Sequence, residues 1–381
     1  MAHKPKIMIL YASYGDGHYQ AAKAIEASLC KCMDCSVVLL DLMAEAHPLL
    51  NELTKFIYMQ SFKTFPQLYG WVYNMTKGMQ SESPFANWLH SFGLGKLSQY
   101  LDREDPDLVI HTFPQLGLPK LRRTAGFHLP IVNVVTDFDL HGRWLHPDID
   151  RYYVATDDLK SEAEAKGIAA QRIVATGIPL KSMFSSASHE KVGMSLQLKL
   201  DHGKRTVLIM GGAYGVMQDI SDICERLQHQ PDIQQIIVCG RNRELKETLK
   251  KRFAGDSSIH IFGFVEQIQS LMHASDCIIT KPGGITLSES LSCRLPIFIY
   301  KPVPGQERNN ALYLQKKGAA VIAYNPAELT RELVGILHDP DREAAMVNRI
   351  EALCKPQAAD HIAEDIWRQW FQPVQAVLQP V

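Results

Sequence analysis

The stretch Cys277-Ile278-Ile279-Thr280-Lys281-Pro282-Gly283-Gly284-Ile285-Thr286-Leu287-Ser288-Glu289 decides the fold. Its first four residues are apolar or β-branched at consecutive positions, as in a strand covered on both faces. Pro282 and two glycines end the run, and a helical stretch then reaches from Ile285 to Ser292. Strand, glycine turn and helix in direct succession open a βα unit, and hence a parallel sheet. The same geometry has a chemical use. Gly283 and Gly284 let the backbone approach a ligand closely. A helix N-terminus offers free N–H groups and a partial positive charge, which together cradle a phosphate. Thr286 lies in that first turn. Glu289 follows on the same helix, with a carboxylate that can accept two hydrogen bonds from vicinal hydroxyls, as acidic residues do for ribose.

Outward from this unit, short β-branched runs alternate with amphipathic stretches over nearly the whole chain. Strands are expected at Lys6–Ser13, Val37–Asp41, Leu108–Phe113, Ile131–Asp137, Arg151–Thr156 and Ile173–Thr176. After a polar stretch the series restarts at Thr206–Gly211, Ile233–Gly240, Ile259–Phe264, Cys277–Thr280, Pro296–Tyr300 and Ala320–Tyr324. Two sets predict two parallel-sheet α/β domains, which 381 residues accommodate. Pro179 with Ser182, Ser185, Ser186 and Ser188 marks a linker over 180–203. The expected domains are therefore 1–185 and 204–355. Residues 356–381 hold a last helix, Ala359–Phe371. Trp367, Trp370 and Phe371 give it a large apolar load, so it is expected to dock back on the N-terminal domain.

Composition narrows the function. Hydrophobic residues make up 46% and charged residues 21%, which excludes disorder over most of the chain. The net charge of −1 carries no basic excess, so no nucleic-acid partner is expected. No apolar run reaches the roughly 18 residues that span a bilayer. Met1–Ser13 runs straight into a glycine turn and is taken as a first strand, not a signal peptide. The eight cysteines fit buried thiols in a reducing compartment. Cys30, Cys32 and Cys35 offer three thiolates without a nearby fourth ligand, so no structural zinc is expected.

Two further motifs carry chemistry. Tyr14-Gly15-Asp16-Gly17-His18 follows the first strand and opens a helix with Ala21, Ala22, Ile25 and Leu29 on one face. His18 then sits at the carboxyl end of strand one, where open α/β sheets bind ligands. A surface capping role for His18 is the plain alternative. Lys301-Pro302-Val303-Pro304-Gly305-Gln306-Glu307-Arg308-Asn309-Asn310 is a second Pro/Gly loop ending at a helix start. Gln306, Glu307 and Asn310 supply the mix of donors and acceptors that a sugar's hydroxyls require. Asp137-Phe138-Asp139 has the form of a metal-binding triplet, but so do Asp105-Pro106-Asp107 and Asp148-Ile149-Asp150. The helix-terminus cradle makes a metal unnecessary at a diphosphate, so none is expected.

Residues 49–95 break the strand–helix alternation. Ten of 32 aromatic residues fall in the window 56–92, among them Phe65, Trp71 and Trp88, where an even spread gives about three. Lys55, Lys63, Lys77 and Lys96 are interleaved. Such a segment either packs its rings into the core or lies in a membrane interface, where Trp and Tyr favour the headgroup boundary.

Together these motifs resemble the diacylglycerol glycosyltransferases, the bacterial processive diacylglycerol β-glucosyltransferases and plant monogalactosyldiacylglycerol synthases. Asn133-Val134-Val135-Thr136-Asp137-Phe138, Tyr153-Val154-Ala155-Thr156-Asp157, Thr176-Gly177-Ile178-Pro179 and Gly263-Phe264-Val265 extend the resemblance over roughly 6–355. It implies a GT-B fold, two Rossmann-like domains facing a cleft. It also implies an inverting transfer of a hexose from a UDP-sugar, with UDP-glucose the expected donor, to the hydroxyl of diacylglycerol. The N-terminal domain would take the acceptor and membrane, and the C-terminal domain the UDP-sugar. His18 matches a general base, and Asp137 an acidic position near the acceptor, here read as the partner of His18. Thr286 with Gly283 and Gly284 matches the diphosphate site and Glu289 the ribose contact, and Gly17, Gly212 and Lys281 are placed among the donor-binding residues. Gln306, Glu307 and Asn310 face the donor sugar, and Phe264 and Val265 the uracil. Phe65, Trp71 and Trp88 form the expected membrane and acceptor face. No cofactor is implied, and the enzyme would be peripheral on the cytoplasmic face of the cell membrane. The rival readings are an N-acetylglucosaminyltransferase acting on a polyprenyl-linked lipid, a nucleotide-sugar 2-epimerase and a non-catalytic nucleotide-sugar-binding regulator.

Overall fold

The computed structural model describes residues 3–13, 16–46, 70, 71, 73, 75, 94–114, 117–126, 128–184, 198–212, 215 and 217–372. The first sheet contains β1 (Lys6–Tyr11), β2 (Ser36–Asp41), β3 (Leu108–His111), β4 (Ile131–Val134), β5 (Arg151–Val154) and β6 (Ile173–Ala175). The second contains β7 (Arg205–Met210), β8 (Ile233–Val238), β9 (Ile259–Phe262), β10 (Cys277–Thr280), β11 (Ile297–Tyr300) and β12 (Ala320–Ala323). Both sheets are wholly parallel, because each strand is followed by a helix that returns the chain to the same edge. Covered on both faces, β3, β4, β8, β10 and β11 are buried at every position.

Strand order places the ligand-binding crevices. The first sheet runs β2-β1-β3-β4-β5-β6 and the second β12-β11-β10-β7-β8-β9. The order reverses between β1 and β3 in one sheet and between β7 and β10 in the other. Open α/β sheets bind ligands beyond the carboxyl ends of the strands at such reversals. The two domains turn these ends toward each other across a cleft, which is the GT-B arrangement.

The fourth strand is shorter than its sequence suggests, ending at Val134 rather than Asp137. Val135, Thr136, Asp137 and Phe138 are nevertheless buried. Thr136, Asp137 and Phe138 meet Gly284, Asn310 and the Tyr313 ring of the opposite domain, so a run that reads as strand continues as a loop in the cleft.

The chain returns to the first domain at its end. Ile362, Ala363 and Ile366 of the Ala358–Ile366 helix pack with Ile25 and Leu29 of the Asp16–Cys32 helix. Arg151 grips Asp365 through Nε at 2.8 Å and Nη2 at 2.9 Å, and the Tyr153 hydroxyl donates to the same carboxylate. Where the two chain crossings meet, Gly177 has φ +95°, and a Cβ there would stand 2.6 Å from the Lys355 Cβ. Phe65 and Trp88 lie outside the described residues. Among the described residues no helix is long and apolar enough to cross a membrane.

Candidate active site

A cavity of about 350 Å³ fills the cleft between the two sets of strand ends. His18 and its neighbours enter from the first reversal, between β1 and β3. Gly212, after β7, and the turn Lys281–Gly284, after β10, enter from the second. The cavity brings together Gly17, His18, Asp137, Gly212, Phe264, Val265, Lys281, Gly283, Gly284, Thr286, Glu289, Gln306, Glu307 and Asn310.

His18 is half-buried on the cavity floor. Its Nδ1 lies 2.6 Å from the Thr112 carbonyl and 3.1 Å from Thr136 Oγ1. A carbonyl only accepts, so Nδ1 carries the proton and Nε2 keeps its lone pair. Phe113 packs edge-on against the ring at 5.2 Å. Burial pushes the His18 pKa down, against the opposing charge of Asp137, so the ring is held as the neutral base.

Asp137 reaches His18 as a charge rather than through a hydrogen bond. Its Oδ1 accepts from Asn310 Nδ2 at 3.0 Å, and the Gln306 amide also donates to it. Burial raises its pKa, and these donors and His18 pull it back. Asp139 Oδ2 accepts from the Tyr73 hydroxyl at 2.6 Å and from Asn309 Nδ2 at 2.9 Å. The two carboxylates of the Asp-x-Asp triplet are thus engaged with protein donors. Among the described residues no group of three or more His, Cys, Asp or Glu is placed to hold a metal ion.

The glycine turn divides its labour. Gly283 is exposed to the cavity, with nothing within 4 Å of where a Cβ would stand. Gly284, the first residue of the helix, is pressed against the Thr136 backbone and the Asp137 carboxylate of the other domain. Gly17 makes a similar approach: a Cβ on it would stand 3.3 Å from Ile285 Cγ1. The two helix N-termini, Asp16–Cys32 and Gly284–Ser292, therefore meet at the cleft floor. Glu289 stands on the cavity wall in a site poor in polar partners, and burial pushes its pKa up to about 8, opposed only by Lys181. Burial thus favours the protonated form of Glu289. Burial also raises Glu307, with Lys281 opposing it.

At the far end Phe264 is 48% exposed, an open ring face next to Val265. Arg241 sits over that ring at 4.8 Å and bridges to Asp16 of the opposite domain at 3.3 Å. Sequence reasoning missed Arg241, and it missed Gln269, which lines the cavity and whose buried Oε1 has no partner among the described residues. Neither sits in a glycine-rich motif, and only the fold brings Arg241 to the ring and Gln269 to the cavity. Trp71 and Met75 are 60% and 61% exposed. Four residues apart, they lie on the outer face of a helical segment whose Tyr73 reaches Asp139.

Comparison with known proteins agrees with this geometry. Residues 18–180 match the family model of monogalactosyldiacylglycerol (MGDG) synthase, and residues 206–362 match the glycosyltransferase family 28 C-terminal domain. The processive diacylglycerol beta-glucosyltransferase of Bacillus cereus (strain AH187) is 37% identical over 367 residues, covering 96% of this chain and 94% of the relative. Among solved structures, the S. aureus MnaA–UDP co-structure superposes with a TM-score of 0.63 at 15% identity, covering 95% of this chain and 96% of that one. Acinetobacter baumannii MurG gives 0.62 at 16% identity, covering 96% of this chain and 100% of that one. At such identity these two structures speak for the fold alone.

Proposed function

We propose, because the chain belongs to the family of diacylglycerol glycosyltransferases, that it moves glucose from UDP-glucose to the hydroxyl of diacylglycerol with inversion at the anomeric carbon. The observation that carries the mechanism is the His18 tautomer: Nδ1–H is given to the Thr112 carbonyl, which leaves Nε2 as a base in the cleft. An alcohol is a poor nucleophile at pH 7. Nε2 takes its proton as the oxygen attacks C1 of the sugar, the C1–O bond to the diphosphate breaks, and UDP leaves with the electron pair. Asp137 stabilises the imidazolium that forms. The N–H groups at Gly283–Thr286 and the Lys281 ammonium face the charge that grows on the diphosphate, so no metal is called on there.

The remaining residues bind the donor. Glu289 takes the ribose hydroxyls, Phe264 and Val265 hold the uracil, and Gln306 and Glu307 face the hexose. Glucose and galactose differ at one hydroxyl, and this amide and carboxyl suit either sugar. Diacylglycerol lies in a bilayer, so the enzyme works on a membrane surface. Exposed Trp71 and Met75 favour contact there. All eight cysteines are free, which fits the cytoplasmic face of the cell membrane. A 2-epimerase or an N-acetylglucosaminyltransferase would share the fold, but the relative at 37% identity is named a glucosyltransferase. A donor panel of UDP-glucose, UDP-galactose and UDP-N-acetylglucosamine, offered with diacylglycerol vesicles and read by mass spectrometry, tests the reading. A hexosyl lipid is expected; altered free UDP-sugar without lipid product would favour the epimerase.

A further inference from the structure

Asn310 is fully buried, and its amide is engaged at both ends. Oδ1 accepts from the Phe138 N–H at 2.9 Å, and Nδ2 donates to Asp137 Oδ1 at 3.0 Å and to the Pro282 carbonyl at 3.1 Å. One donor and two acceptors around it fix which way the amide points. Asp137 and Phe138 follow β4 of the first domain, while Pro282 belongs to the glycine turn of the second. The sequence assigns Asn310 to the donor sugar by its place after Gln306 and Glu307, but an amide whose two N–H groups are engaged has no donor left for a hydroxyl.

We infer that Asn310 is a positioning residue: it holds the Asp137 carboxylate near His18 and ties it to the phosphate-binding turn, so that base and cradle face the two ends of the bond being exchanged. This rests on the glycosyl-transfer reading above. Asp137 is faced by His18 from the Asp16–Cys32 helix, by Asp139 from its own segment, and by Gln306 and Asn310 from the Gln306–Lys316 helix. The Gly284–Ser292 helix brings it only the Gly284 backbone. Of these, the Asn310 amide is the donor that bonds both domains. Burial already raises the Asp137 pKa, and losing a donor to its carboxylate raises it further. The carboxylate form then exists only at higher pH, so the acidic limb of kcat moves upward.

The test compares Asn310→Ala and Asn310→Asp with wild type, using UDP-glucose and diacylglycerol vesicles. The Asp variant keeps the shape and the acceptor for Phe138, but sets a second carboxylate against Asp137. Both should lose about tenfold or more in kcat, as misplaced catalytic groups do. The acidic limb should move to higher pH in both, further in Asn310→Asp. Affinity for UDP by calorimetry should stay within about threefold, less than 1 kcal/mol. A loss of UDP affinity with an unmoved limb would make Asn310 a donor contact and overturn the inference. An unchanged kcat and limb would overturn it too. Should Asn310→Ala melt early, Asn310→Asp carries the same comparison. Asp137→Asn, with Asn310 intact, should remove the Asp137 step and leave only the limb set by His18, moved to lower pH because the charge that raises His18 is gone; a wild-type limb there contradicts any action through Asp137. Wild-type protein that turns over no UDP-sugar would instead sink the glycosyl-transfer reading, whatever these variants do.

Discussion

Gly284 lies so close to Thr136 that a Cβ on it would stand 2.0 Å from the Thr136 carbonyl oxygen. The helix proposed to cradle phosphate in one domain thus abuts the loop that carries Asp137 in the other. No larger residue fits without parting them. Gly284→Ala should hold the cleft open and cost about 10²-fold in turnover, the loss typical of a misplacement of about 1 Å. Gly283→Ala is the contrast, because its Cβ would enter the cavity instead. It should melt like wild type and weaken UDP binding. Equal effects of the two changes on UDP affinity would contradict this division of the turn.

His18→Ala should lower kcat by about 10²–10⁴-fold, the usual loss of a general base. UDP binding should change little, since the proposed role of the ring is toward the acceptor hydroxyl. Turnover within a few-fold of wild type would return His18 to a capping role.

Glu289 gives a pH signature. Burial pushes its pKa up to about 8. Ribose hydroxyls that donate to it favour the carboxylate and pull that pKa down. UDP binding near neutral pH should therefore release a proton, and affinity should rise with pH until about pH 8 and level off above. Calorimetry in two buffers of different ionisation enthalpy reads the proton directly, and Glu289→Gln should abolish it. Affinity independent of pH with no proton released would leave Glu289 a structural helix residue. The Gln variant should lose about 1.5–3 kcal/mol of UDP affinity, the usual worth of a hydrogen bond to a charged group.

Trp71 and Met75 test the membrane face. Burying each in lipid is worth about 1.5–3 kcal/mol. Trp71→Ser with Met75→Ser should weaken liposome sedimentation at least about tenfold, or 1.4 kcal/mol. The melting curve should stay as it is, because both side chains are exposed. Unfolding would mean that these rings are core after all, since large-to-small core changes cost about 2–5 kcal/mol each. Full liposome binding by a folded variant would move the membrane face elsewhere.

Much of this was legible in the sequence, and the exceptions share a cause. Cys277–Thr280 reads as a buried strand because each of its side chains meets a neighbour in the sheet or its helices. Phe138 is as buried but lies in a loop, since the Tyr313 ring of the other domain stacks on it. Burial by a distant surface leaves the same apolar residues as burial by a ladder. Asn310 shows the same limit at the site. Its motif announces a sugar-binding polar residue, while two of its three partners are more than 170 positions away. The tautomer of His18 depends on Thr112, 94 positions on, and no local pattern encodes it.

The most direct test is the stereochemistry of the lipid product. UDP-glucose carries its sugar as the α-anomer. A single displacement by an oxygen deprotonated at His18 must give the β-glucoside. Wild-type protein with UDP-glucose and diacylglycerol vesicles, its glycolipid isolated and the anomeric proton coupling measured by NMR, should show the large coupling of a β-linkage. The small coupling of an α-linked glucosyl diacylglycerol would contradict the single-displacement mechanism built on His18.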